Sequence, residues 1–269
     1  MVIISLNLEL MPKFWARNVK LEDETLLEEN SALPIRGFSI NWDKIDENSY
    51  LRKIDAISSL EHLSFKKNIT IFVGENGSGK STMLEAIAVS CGFNPEGGTR
   101  NYNFSTYDSH SELCEAIRLI RGFSRPQWGY FLRAESFYNV ASAEEVYSRE
   151  DPRGIMQQFH KKSHGESFLQ LAQSSFKGRG LYFLDEPEAA LSPQRQLTLL
   201  IDIVNCAKEN AQFVMATHSP ILLGIPGAEL LSFDEGEIKP IAYEDTESYK
   251  ITKLFLENKE KMLKHLFNE

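Results

Sequence analysis

Cysteine is scarce here: Cys91, Cys114 and Cys206 are scattered through 269 residues and odd in number. That excludes a disulfide-stapled scaffold and a zinc framework of paired thiolates, and it suits a reducing, cytoplasmic setting. Long apolar runs are also lacking. No stretch approaches the ~18 apolar residues of a membrane-spanning helix, so membrane insertion is not expected. The start, Met1-Val2-Ile3-Ile4-Ser5-Leu6, has neither the basic leader nor the small-residue cleavage site of a secretory signal. Positive charge is in deficit, with a formal net charge of −9. Bulk affinity for nucleic acid or anionic membrane is thereby disfavoured, but a local basic patch is not.

What remains is an ordinary globular balance, 42% hydrophobic and 25% charged, in a chain long enough for one large α/β domain or two small ones. The most informative stretch is Gly74-Glu75-Asn76-Gly77-Ser78-Gly79-Lys80-Ser81, which fits the phosphate-loop pattern G-x-x-x-x-G-K-[ST]. Ile69-Thr70-Ile71-Phe72-Val73 before it reads as a buried strand, and the residues from Thr82 to Ala88 read as a helix. Glycines let backbone wrap closely around an anion, and N–H groups at the helix start point at phosphates. Lys80 is expected to reach the β- and γ-phosphates, and the Ser81 hydroxyl to bind Mg²⁺.

Upstream, the acidic segment from Leu21 to Glu29 reads as a solvated loop or helix face. Ile35 to Trp42 alternates and reads as a strand. Ile54 to Phe65 reads as a second, which suggests an antiparallel sheet beside the nucleotide-binding one. Trp42 or Tyr50 could stack on adenine or simply pack. Downstream, residues 92–110 read as a loop, Glu112 to Arg121 as a helix and Gln127 to Arg133 as a strand. Arg118, Arg121, Arg125 and Arg133 lie between Ala116 and Arg133 with no acid among them. They suit phosphate or nucleic-acid contact, or surface pairing with carboxylates elsewhere.

Residues 136–162 suggest a small helical excursion. Ser163-His164-Gly165-Glu166 opens an amphipathic helix, a geometry that suits an anion or a cap. Leu181-Tyr182-Phe183-Leu184 reads as a buried strand ending in Asp185-Glu186-Pro187. Two acids at the end of a buried strand are costly unless they have a task. Beside a phosphate loop, Asp185 can hold the Mg²⁺ shell and Glu186 can deprotonate an attacking water. Pro193 suits the first turn of a helix running to about Ala207. Ala211 to Ala216 reads as another strand, ending in Thr217-His218-Ser219-Pro220, where His218 can contact a γ-phosphate. Residues 230–241 read as a hairpin. Residues 246–268 read as an amphipathic helix pair, with Leu254, Phe255, Leu263 and Leu266 as core candidates.

Phosphate loop, Ser-x-Gly-Glu, Asp-Glu-Pro, Ala-Leu-Ser-Pro and Thr-His-Ser-Pro follow in that order over residues 74–220. In this the chain resembles ATP-binding-cassette ATPases, and within them the stand-alone ATPases related to SMC and RecF heads. The resemblance implies an α/β phosphate-loop fold: a mixed, mostly parallel sheet flanked by helices, an antiparallel N-terminal sheet and a small helical lobe. It implies one domain over residues 1–269. The core lobe would be 35–135 and 175–245, the helical lobe about 136–174, and the C-terminal helices 246–268.

It also implies ATP and Mg²⁺ as cofactors, with Gly74 to Ser81 and Thr82 on the nucleotide. A head-to-tail homodimer would bring Ser163, Gly165 and Glu166 to the γ-phosphate held by the other copy. Lys80, Glu186 and His218 would carry the catalysis, and Ser81 and Asp185 the metal. The signature departs from Leu-Ser-Gly-Gly-Gln, with His164 in place of a glycine. No glutamine follows the strand that ends at Arg133, so Glu135 stands where the lid glutamine would be, near Mg²⁺.

Only about 80 residues separate phosphate loop and signature, with no heptad run, so coiled-coil arms are not expected. Three settings fit the ATPase: nucleic-acid transactions such as repair, plasmid maintenance or phage defence; a nucleotide-gated switch for a protein partner such as a toxin or nuclease; and the ATP-binding subunit of a transporter.

Overall fold

The computed structural model describes residues 33–100, 111–135 and 164–267. Two sheets organise them. A six-stranded sheet runs β5-β6-β7-β3-β8-β9, from β3 (Ile69–Val73), β5 (Trp128–Arg133), β6 (Gly180–Asp185), β7 (Gln212–Ala216), β8 (Glu229–Ser232) and β9 (Lys239–Pro240). Its first five strands are parallel, and β9 closes the edge antiparallel to β8. The second sheet is antiparallel, in the order β2-β1-β4, from β1 (Ile35–Ile40), β2 (His62–Ser64) and β4 (Ile117–Arg121).

The central strands are apolar on both sides because both faces are covered. On one face Phe72, Phe183 and Val214 pack with the small sheet and with Leu84 and Ile87 of α2 (Lys80–Ser90). On the other, Ile71, Tyr182, Leu184, Phe213 and Met215 meet Phe168 of α4 (His164–Ser175) and Leu199 and Ile203 of α5 (Pro193–Lys208). Gln212 is fully buried and stitches the two sheets together. Its amide accepts from Ile35 N–H at 2.9 Å and donates to Ile35 O at 2.8 Å, in place of a backbone partner.

The expected α/β architecture with an antiparallel N-terminal sheet is what the chain adopts. Three local expectations are corrected. Glu112 to Arg121 is helical only over α3 (Leu113–Ala116) and then becomes β4, which pairs with the free edge of β1. The stretch from Ile54 to Phe65 splits into α1 (Asp55–Ser58) and the three-residue β2. After β7 comes the short α6 (Pro220–Leu223); the C-terminal segment is α7 (Glu247–Leu266), kinked at Asn258, and among the described residues none of it is buried. Leu254 and Leu266 are more than half exposed, so they are not core. An amphipathic period shows that a helix has an apolar face, not that this chain covers it.

The helical lobe expected near 136–174 lies outside the described residues up to 163. The remainder of that range holds α4, which packs on the large sheet.

Candidate nucleotide site

In a parallel sheet the C-terminal strand ends share one edge, and the loops there form the crevice. Register fixes what lies on that edge: Arg133 pairs with Asp185, Asp185 with Ala216, Phe72 with Ala216, and Val73 with Ser232. The residues just beyond are Gly74, Glu135, Glu186, His218 and Asp234. The predicted strand–loop–helix is present, with α2 starting at Lys80 directly after the loop.

The loop needs its glycines. Gly79 has φ +99°, and a Cβ there would sit 2.7 Å from Ile57 Cδ1 and 2.8 Å from Ile54 Cγ2. At Gly74 a Cβ would lie 2.9 Å from Asp234 Oδ1 and 3.0 Å from Ser78 Oγ. Lys80 is buried and its ammonium donates to Gly74 O and Glu75 O, both at 2.7 Å. Burial pulls its pKa below the ordinary lysine value, against the fields of Glu186, Asp234, Asp185 and Glu188. Ser81 Oγ donates to Asp185 Oδ1 at 2.8 Å, which joins the loop to the end of β6 across the intervening β7.

Asp185 is 5% exposed. Burial pushes its carboxyl up to about 6, though Ser81 and Arg133 both favour the charged form. Arg133 approaches it at 3.5 Å through Nε, while its Nη1 donates to Glu85 at 2.6 Å and to Pro95 O at 2.9 Å. Arg133 thus belongs to this site and not to the surface patch in which its sequence neighbourhood had placed it. Glu135 lies 3.8 Å from Arg133, with an 86% exposed side chain, and its charge also raises the Asp185 pKa.

Glu186 holds φ 47°, which side chains rarely adopt. It stays there because its N–H donates to Ala216 O at 2.9 Å and its carbonyl receives Ala189 N–H at 3.0 Å. His218 is half-buried beside it, with Nε2 buried and without a hydrogen-bond partner among the described residues.

Two residues that the sequence reading missed complete the edge. Asp234 accepts from Glu75 N–H at 3.0 Å, and Glu188 accepts from His218 N–H at 2.6 Å. Their signals were a carboxylate past the end of β8 and a third acid in the turn after β6.

A cleft of about 210 Å³ opens on the loop, lined by Gly74, Glu75, His218 and Asp234 and, from α7, by Glu247, Ser248, Ile251 and Thr252. The residues fit a nucleotide phosphate chain. At Gly74 and Gly79 there is no room for a Cβ, and Ser78 Oγ and His218 Nε2 are buried polar atoms without hydrogen-bond partners among the described residues. Ser81 and Asp185 form the oxygen pair that a hard divalent cation prefers.

Two of the three signature residues are described. Ser163 is outside the described residues, and Gly165 sits in the first turn of α4. Glu166 is on the surface, 3.1 Å from Arg195 of α5, and does not line the cleft. Trp42, an adenine candidate, instead donates its indole N–H to Leu60 O at 2.9 Å and carries Arg52 over its ring. Tyr50, the other, is exposed and donates its hydroxyl hydrogen bond to Ser111 Oγ at 3.2 Å.

A family model described as an AAA domain, AAA_23, matches residues 50–262. The chain belongs to this family. The phosphate loop, Gly74 to Ser81, lies inside the matched span. The chain is 29% identical over 168 residues to a Mycoplasma genitalium protein described as an ABC transporter ATP-binding protein, MG390. The match covers 59% of this chain but a quarter of that relative's length. Among solved structures, the SMC head domain from Thermotoga maritima is 14% identical, with TM-score 0.42, over 78% of this chain and all of that one. An inward-facing ABC transporter of metal-chelate type is 20% identical, with TM-score 0.39, over 69% of this AAA_23 chain and 76% of that one. No described helix is long and apolar enough to cross a membrane.

Proposed function

We propose that two copies of this ATPase face each other head to tail as single-domain heads in the cytoplasm, each holding ATP on its Gly74–Thr82 loop, and that their cycle acts on nucleic acid. Lys80 and His218 stabilise charge on the γ-phosphate. Ser81 and Asp185, with Glu135 nearby, would hold Mg²⁺, which neutralises phosphate charge when bound. Glu186 orients and deprotonates the attacking water. Ser163, Gly165 and Glu166 of the other copy close the site. Fixed charges and dipoles of this kind supply most of the catalysis in phosphoryl transfer.

The observation that carries the nucleic-acid reading is a set of cations, bordered by the Glu209 carboxylate at Gly178, in an acidic protein. Arg118 and Arg121 on β4, Arg125 in the next loop, and Lys177 and Arg179 beside Trp128 have no ion pair among the described residues. Burial lowers the Arg100 pKa, and the nearby Arg121 charge adds to that shift. Two aromatics stand in the patch: Phe123 is 93% exposed, and Trp128 is 48% exposed with Lys177 4.0 Å over its ring. Cations with open rings suit phosphates and bases together.

The test is steady-state ATP hydrolysis at low salt with and without double-stranded DNA, repeated at higher salt. Stimulation that fades with salt and disappears in the Arg118→Ala/Arg121→Ala/Arg125→Ala protein supports the reading. A rate indifferent to DNA moves the weight to a protein partner such as a toxin or nuclease. One observation favours that alternative: the exposed apolar face of α7, at Ile251, Leu254, Phe255 and Leu266, starts at the rim of the cleft.

A further inference from the structure

The turn after β6 and the turn after β7 are tied by side chains. Glu188 Oε1 accepts from the backbone N–H of His218 at 2.6 Å. A second tie runs through Gln196 of α5, which donates to Leu191 O at 3.0 Å and accepts from Ser219 Oγ at 2.6 Å. The two ties differ in kind. Gln196 is neutral and serves the outer part of each turn. Glu188 is a carboxylate, placed two residues from Glu186 on one side and on His218 itself on the other.

Its position is costly. Glu188 Oε2 is buried and has no hydrogen-bond partner among the described residues, like the neighbouring His218 Nε2. Its charge is felt by Lys80, so it stands close to where the phosphates bind and repels them. A buried carboxylate oxygen left without a donor is tolerated when the group has a task, here the hold of its other oxygen on the His218 N–H. A charged acceptor holds a backbone N–H more tightly than a neutral one.

We infer that Glu188 is a positioning residue for ATP hydrolysis: it locks the strand end that carries His218 to the turn that carries Glu186. Glu186 sits on a positive-φ backbone whose own N–H is bound to Ala216 O, two residues before His218. With Glu188 bound on the far side, the water-activating carboxylate and the imidazole move as one body. The inference rests on the proposed role of His218.

The experiment compares four proteins by kcat and KM for Mg·ATP and by melting temperature: Glu188→Asp, Glu188→Gln, His218→Ala and the double variant Glu188→Asp/His218→Ala. Aspartate keeps the charge but is one methylene short of the His218 N–H. Glutamine keeps the reach and an acceptor oxygen. Glu188→Asp is expected to lower kcat by about 10- to 100-fold with little change in KM, the cost of misplacing a reacting group by about an ångström. Glu188→Gln is expected to restore most of the rate, and the double variant to be no slower than His218→Ala. Both Glu188 variants should melt near the parent, because the Gln196 tie remains. Parent-like turnover in Glu188→Asp, equal losses in Asp and Gln, or additive losses in the double variant would overturn the proposal. Parent-like turnover in His218→Ala would instead remove the histidine assignment on which it stands.

Discussion

The charge of Asp185 is the residue-scale feature with the clearest consequence. Its carboxyl titrates at about 6, above the ordinary 3.8, because burial outweighs Ser81 and Arg133. A raised carboxyl pKa means that the folded state holds the proton more tightly than the unfolded chain. Stability is therefore lost as pH rises from about 4 through 6 and is level above that. The loss for a shift of this size is about 3 kcal/mol. Asp185→Asn keeps an acceptor for Ser81 and leaves Arg133 paired with Glu85. Without nucleotide it should melt several degrees above the parent at pH 7.5, and level with it near pH 4. The same variant should lose ATP hydrolysis, and parental kcat/KM should fall below about pH 6 as the proton competes with the metal for free Asp185. Thermal melts across pH and a pH–rate profile check both.

At the scale of elements, the junction between β3 and α2 is the least tolerant place. Gly79→Ala would force φ +99° on a Cβ that meets Ile54 and Ile57, two side chains on the same core as α2. It should cost roughly 1–3 kcal/mol in urea unfolding and abolish ATP binding, through positive-φ strain and overpacking. The opposite expectation holds for α7. Leu254→Ser and Leu266→Ser remove side chains that are 51% and 61% exposed. They should change stability by no more than about 0.5 kcal/mol, as surface substitutions do. A large drop in melting temperature would mean that the chain covers this face in solution.

For the whole molecule, two proposed associations respond to salt with opposite sign. Each copy carries −9, so head-to-tail pairing works against like-charge repulsion, which screening relieves. Sedimentation of the Glu186→Gln protein with ATP should show more dimer as salt rises from about 50 to 200 mM, over which the screening length shortens below about 10 Å. Nucleic-acid binding through Arg118, Arg121 and Arg125 releases counterions and should weaken over the same range. A dimer that also weakens with salt would point to complementary charges across the interface.

The phosphate loop, the two acids at the end of β6 and the histidine after β7 were legible in the sequence. Each is a short run of special residues next to a β-branched or apolar strand, and local chemistry decides such runs. So was the mixed sheet, because continuous apolar strands such as 181–184 and 211–216 need cover on both faces. What the sequence could not show is set by contacts distant along the chain. Arg118, Leu119 and Ile120 became a strand because β1 offered an open edge. Arg133 reads like its basic neighbours, yet the register of β5 with β6 turned it onto Asp185. Glu188 and Asp234 gained roles only when four strand ends met on one edge. The apolar period of α7 was real, but burial depends on what packs against a face, and only the tertiary structure decides that.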